Sequence, residues 1–186
     1  MNDENLKFLG TIREQYGRIC WTHKTHEKAR EIATRKTGKI KLGGVVLTFL
    51  TLTSIFATIK YPSSEIWFWA ATIIGSISFA LQVFSLAFQP EKSESDHRNA
   101  AKTLLRLRDG YLIIITRLMA GELLETVKPD YYKISEQLVE IYPYLPDSDS
   151  EAYDAASLAL KSKEDLTFSD QEIDHLLPAS LRISKA

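Results

Sequence analysis

The chain has 186 residues, of which 45% are hydrophobic and 25% charged, with a formal net charge of -1. Such averages fit an ordinary soluble domain and give no reason to expect direct nucleic-acid binding. They mislead, because two uncharged stretches hold most of the aliphatic residues while the remainder is heavily charged.

The first segment, residues 1–41, contains no proline, and Gly10, Gly17 and Gly38 are its only glycines. It predicts a helix from about Asn5 that feeds into the first apolar run with one or two breaks. Leu6, Leu9, Ile12, Tyr16 and Ile19 recur at intervals of three and four, which makes an amphipathic packing face. The charged residues ahead of Leu42 argue against a cleaved signal peptide. Cys20 is the single cysteine, so no disulfide framework forms within the chain and a reducing compartment fits best.

The next segment, residues 42–88, reads as a transmembrane hairpin. Leu42 to Ile59 and Ile66 to Phe88 are uncharged apolar runs, and a helix needs about 17 to 25 such residues to cross a bilayer. The competing reading is a helical hairpin buried inside a soluble protein. Both runs are apolar around their full circumference, and the charged remainder is poorly suited to wrap them. Between Lys24 and Lys41 lie seven basic residues against Glu27 and Glu31, and Lys92, Arg98, Lys102, Arg106 and Arg108 come after the second run. The positive-inside rule therefore places both termini in the cytoplasm and the short loop Lys60 to Glu65 outside. Tyr61, Trp67 and Trp69 mark the outer headgroup level, and Pro62 with two serines makes the turn. The basic flank also suits anionic lipid headgroups, as the inner flank of any span does.

Projected at about 100° per residue, Thr48, Thr51, Ser54 and Thr58 share one face of the first span, and Gly75, Ser78, Gln82 and Ser85 share one face of the second. Two readings of these stripes stand side by side. Small and hydroxylated residues let two spans pack closely. Uncharged polar groups also suit a water path once several hairpins assemble. Thr51, Ser54, Gly75, Ser78 and Gln82 are the first candidates for residues between hairpins. Gln82 is the only amide in either span, and its side chain needs a partner at that depth, from a neighbouring helix or from water.

Residues 89–186 predict further cytoplasmic helices with a frayed C-terminus. Pro90 marks a bend, and Ser93 or Ser95 with Asp96 offers N-capping for a helix reaching about Val127, before Pro129. Leu104, Leu107, Tyr111, Ile114 and Leu118 form one apolar stripe, with Ala101, Leu105, Leu112, Ile115 and Met119 beside it. A face this wide needs more than one packing partner. A short helix is expected from Pro129 to about Pro143, then a helix of about Ser150 to Lys161 with a capping box of Ser148 and Glu151. Ser169 and Glu172 repeat that spacing before Ile173, Leu176 and Leu177. No segment reads as a strand.

Chemistry is sparse. Of the four histidines, His23, His26, His97 and His175, only His23 and His26 share a helical face, and the intervening sequence lacks the carboxylate of a zinc-protease helix. They read as a solvated helix surface. Arg106, Arg108, Asp109 and Tyr111 read either as a clamp for an anionic ligand or as surface ion pairing around a packed Tyr111. No phosphate loop, nucleophile elbow or paired-carboxylate site is present, so neither an enzyme nor a cofactor or metal site is expected.

The basic helical segment, the antiparallel two-span hairpin with its very short loop, and the long helix carrying Arg108, Asp109, Gly110 and Tyr111 together resemble the SLATT family. These are bacterial two-span effectors associated with nucleotide-signalling and other antiviral defence systems. The resemblance implies an effector of the inner membrane that forms a pore or disrupts the membrane, silent until a partner sensor or its nucleotide signal triggers it. The residues by themselves predict an all-α membrane protein: an antiparallel two-helix transmembrane hairpin flanked by cytoplasmic helices. Two spans cannot enclose a channel, so conduction would require a homo-oligomer. The alternatives are a constitutive membrane anchor or scaffold for a cytoplasmic partner, and a holin-like toxin that acts without a sensor.

Overall fold

The computed structural model describes residues 3–163 and 165–176. It is 88% helical, with no strand among the described residues. The helices are α1 (Asp3–Lys60), α2 (Glu65–Phe88), α3 (Pro90–Met119), α4 (Leu124–Ile141), α5 (Ser150–Ser162) and α6 (Asp170–Leu176), with a 3-10 turn at Tyr142–Tyr144. The chain divides into two compact units. One is drawn from Met1–Ala29 and His97–Ala186, here called the bundle unit, and the other is Arg30–Asp96, the hairpin unit.

The expected breaks in the first segment do not occur, because α1 continues through Gly10, Gly17, Gly38, Gly43 and Gly44 to Lys60. A single helical glycine costs only about 1 kcal/mol relative to alanine, so isolated glycines weaken a long helix without ending it. The break after α2 falls at Gln89, in the left-handed region at φ 41°, whose N–H donates to the Ser85 carbonyl at 3.1 Å. Helix α3 then opens on Pro90, a residue suited to the first helical position because it lacks an N–H. Ser93, Ser95 and Asp96 therefore lie inside α3 and do not cap it.

The far end of α3 also differs from expectation. It closes at Met119 because Gly121 adopts φ 90°. Gly121 N–H donates to the Leu118 carbonyl and Glu122 N–H to that of Arg117, both at 3.1 Å, which is the double bond pattern of a Schellman stop. The side chains of Arg117 and Glu122 pair across the same turn at 2.6 Å. Helix α4 thus starts before Pro129 and contains it. Proline removes one intrahelical bond there, close to the N-terminus, while Leu124 and Val127 on the preceding turn are buried in the core and hold it in place. Asp149, not Ser148, caps α5 by accepting the Ala152 N–H at 2.8 Å. At α6 the expected box forms, with Ser169 N–H donating to Glu172 and Glu172 N–H to the Ser169 hydroxyl. Leu177 and the C-terminus expected to fray lie outside the described residues.

The core of the bundle unit joins Leu9, Ile12 and Ile19 of α1 to Leu104, Leu107, Tyr111, Ile114, Ile115 and Leu118 of α3 and to the first turn of α4. Leu6, on the same stripe of α1, is exposed. The Tyr111 hydroxyl, on a fully buried ring, meets the Ser135 hydroxyl at 3.0 Å. Ala152, Ala156 and Ala159 form the buried face of α5. Tyr153 on that helix stacks on Trp21 with ring centres 5.4 Å apart.

Gly110 lets Ile134 of α4 approach α3, since a Cβ built there would sit 2.8 Å from Ile134 Cδ1. The crowding atom is the tip of a flexible side chain, and alanine gains helix propensity. Gly110→Ala is therefore expected to be nearly neutral, whereas Gly110→Val should destabilise by about 1 to 3 kcal/mol. Thermal unfolding in detergent checks this, and equal midpoints for the two variants would contradict the close approach.

Candidate functional site

In the hairpin unit, α1 and α2 each contain a stretch long and apolar enough to cross a membrane, and only 6% of each stretch is buried. Phe79 is 69% exposed and Leu86 77% exposed. A buried hairpin inside a soluble fold requires the opposite, so this competing reading is excluded. At the turn, Tyr61 N–H donates to the Ala57 carbonyl at 2.9 Å and Ser64 N–H to that of Tyr61 at 3.0 Å. Tyr61, Trp67 and Trp69 are exposed around this end. Toward the other end, Lys41 and Glu91 pair at 2.8 Å.

The eight stripe residues do not share one environment. Ser54 and Ser78 are buried, Thr51, Thr58, Gly75 and Ser85 are half-buried, and Thr48 and Gln82 are exposed. A Cβ built at Gly75 would lie 3.5 Å from Thr51 Cγ2, and one at Gly43 3.7 Å from Leu81 Cδ2. These contacts bring the two helices close through small side chains. Thr48, Thr51 and Thr58 donate their hydroxyls to the carbonyls of Gly44, Leu47 and Ser54 at 2.8 to 2.9 Å. Each is thereby satisfied by its own helix and needs no partner across the interface.

In the bundle unit, Arg108 pairs with Asp109 at 2.8 Å beside the packed Tyr111, while Arg106 is exposed. This is the ion-pairing arrangement rather than a clamp. On α3, Leu105, Leu112, Ile113 and Met119 stay exposed, so the second apolar stripe is only partly covered. An open groove of about 420 Å³ between α1 and α4 is lined by Gln15, Ile19, Thr22, Leu138 and Tyr142, among others.

His23 and His26 contradict the solvated-surface expectation, since both are buried, and His97 is buried as well, while the side chain of His175 lies outside those described. Nδ1 of His26 lies 3.0 Å from Nδ1 of His97, 71 positions along the chain, with the ring centres 5.3 Å apart. One imidazole must therefore carry its proton on Nδ1 and the other on Nε2. Burial, then the charges of His97 and His23, hold His26 down to about 4. Nδ1 of His23 is buried without a hydrogen-bond partner. In chain order, His26 shortly precedes the hairpin unit and His97 directly succeeds it. Nearby, Lys24 is buried between Glu27 at 2.8 Å and Asp165 at 3.2 Å. Desolvation lowers its pKa, but the bonds to Glu27 and Asp165 outweigh this and the net shift is upward. Among the described residues no group of three or more His, Cys, Asp or Glu side chains is arranged to hold a metal.

Ser78→Leu should loosen the hairpin by about 1 to 3 kcal/mol through overpacking, read as earlier unfolding in a denaturing-detergent titration. An unchanged transition would show that Ser78 does not pack the spans. Between about pH 6.5 and about 4 the unfolded chain binds a proton at His26 that the folded chain excludes. Stability therefore falls as pH drops through this window, by as much as about 3 kcal/mol. His26→Asn, which keeps a polar side chain without the titration, should flatten the slope of unfolding midpoint against pH. Identical slopes would remove the pair from the acid response.

No curated protein and no solved structure matches the chain. Residues 8–172 match the SMODS and SLOG-associating 2TM effector domain family 4. The match takes in both apolar spans, the α1 segment that precedes them and the helices beyond them. The chain is a membrane protein that belongs to this family of SMODS and SLOG-associating 2TM effector domains.

Proposed function

We propose that this chain is a non-enzymatic effector of the bacterial inner membrane. It crosses twice with both termini in the cytoplasm, and assembles with copies of itself to open a path for ions when a sensor protein or nucleotide signal triggers it. The observation that carries this reading is the outward surface of the hairpin, which is apolar on its exposed sides and has its threonine hydroxyls satisfied within each helix. Such a surface is stable in lipid, and a single pair of spans leaves no room for a lumen between them, so permeation needs several copies. The family's description as an effector that associates with SMODS and SLOG supports external control. The flanks support the orientation, with Arg35, Lys36, Lys39 and Lys41 at one end and the short loop at the other.

The uncovered α3 face, with Leu105, Leu112, Ile113 and Met119, favours a second reading in which the hairpin only anchors a protein-binding bundle. A membrane-potential dye separates the two. Cells expressing the chain with its native neighbours should depolarise after the trigger, and an unchanged permeability under every trigger, with the protein present in the membrane, favours the anchor. Topology is checked in a Cys20→Ser background. Ser63→Cys should react with an impermeant maleimide added outside intact spheroplasts, and Lys36→Cys should not; the reverse pattern would invert the orientation.

A further inference from the structure

Gln82 carries the one amide of either span, and most of that amide's hydrogen-bonding capacity has no partner in its own hairpin. Ser78, one turn earlier, turns into the hairpin and is buried, whereas Gln82 is exposed. Its Nε2 donates to the Ser78 carbonyl at 3.4 Å, near the outer limit for a hydrogen bond, and that carbonyl also serves the helix backbone. Its Oε1 accepts no hydrogen bond among the described residues. The exposed hydroxyls behave differently, because Thr53, Thr72 and Ser76 donate to their own helix at 2.8 to 2.9 Å. A hydroxyl has one proton to place and can return it to the preceding turn. An amide has two N–H groups and an oxygen, and one helix cannot serve them all. In hydrocarbon the remainder stays unpaired unless another molecule supplies the partner.

We propose that Gln82 is the hydrogen-bonding point at which one hairpin docks on a second copy of this chain. The inference deepens the assembly reading above and rests on it. A primary amide matches another primary amide, since each donates one N–H and accepts at its oxygen, and the pair closes on itself under two-fold symmetry. Each hairpin brings one amide within its spans, so a second copy supplies the complement. The surface around Gln82 has room for it. An open cleft of about 600 Å³ is lined by Gln82, Ser85, Leu86, Gln89 and Pro90, with Glu91 and Lys92 at its charged end, and it places the amide at the edge of an unfilled space. An interhelical amide bond of this kind recurs wherever polar side chains hold spans together.

The test uses the full chain in native membranes with Cys20→Ser. Leu86→Cys, one turn beyond Gln82 and keeping the amide, should form a disulfide-linked dimer on oxidation well above that of Phe84→Cys, which projects from the opposite side of α2. Adding Gln82→Leu to Leu86→Cys should cut the cross-linked fraction by about fivefold, and Gln82→Asn should retain most of it. If Leu86→Cys cross-links no more than Phe84→Cys, or if Gln82→Leu leaves the dimer unchanged, water or a lipid headgroup in the cleft serves the amide and the docking point is overturned. Trigger-dependent depolarisation recorded in the same cells separates the two readings. Depolarisation with amide-independent cross-linking overturns only the docking point, while amide-dependent cross-linking without depolarisation overturns only the effector reading.

Discussion

A polar group that enters hydrocarbon must bring its own hydrogen-bond partner, and the hairpin unit is organised around that requirement. Helical backbone meets it for every peptide group away from the ends. The turn at the tip is kept to Tyr61–Ser64, with the Tyr61 and Ser64 N–H groups bonded to the Ala57 and Tyr61 carbonyls. The span threonines meet it by returning their protons to the preceding turn. With the threonine hydroxyls spoken for, the contacts between the spans at these positions rest on small size. Thr51 against Gly75 and Leu81 against Gly43 let the helices approach without polar bonds across the interface. Gln82 is the exception, and the requirement turns it from an oddity of composition into a place where the monomer is incomplete.

The bundle unit obeys water instead. Its stability comes from one apolar core shared by α1, α3 and α4, and its polar groups face out or pair. Where it departs from that pattern, it does so at Trp21, whose indole N–H is buried without a hydrogen-bond partner, and with ionisable groups. Lys24 is buried with two carboxylates, and three imidazoles are buried with one mutual hydrogen bond. A buried neutral imidazole pair resists protonation, because a second proton would set two N–H donors face to face at 3.0 Å. The pair also ties α1 to α3 at the two points where the chain leaves and re-enters the bundle unit. The same core leaves part of α3 uncovered, so the bundle keeps an apolar face as well as a closed interior.

The residues that carry the family resemblance around Gly110 are structural in this chain. Arg108 and Asp109 pair with each other, Tyr111 is buried, and Gly110 admits Ile134. Gly110 and Tyr111 set how closely α4 lies on α3, through Ile134 and Ser135.

Much of the architecture was legible in the amino-acid order alone, because it depends on local hydrophobicity and helical period. The two spans, the short turn, the Leu104 to Leu118 stripe and the Ser169–Glu172 box all arise from residues within a few turns of one another. The stops were harder to read. Gly121 ended α3 and Pro129 did not, because a glycine at φ 90° completes a hydrogen-bonded stop, while a proline near a helix start loses one bond that a buried turn offsets. The stripe residues shared a face in projection, yet only the packed hairpin separated buried Ser78 from exposed Gln82, since the direction of the neighbouring helix is not written in the period of one. The His26–His97 bond lay furthest beyond reach. No spacing rule links residues 71 positions apart, and only the folding of α3 back along α1 brings two imidazoles out of water and into contact.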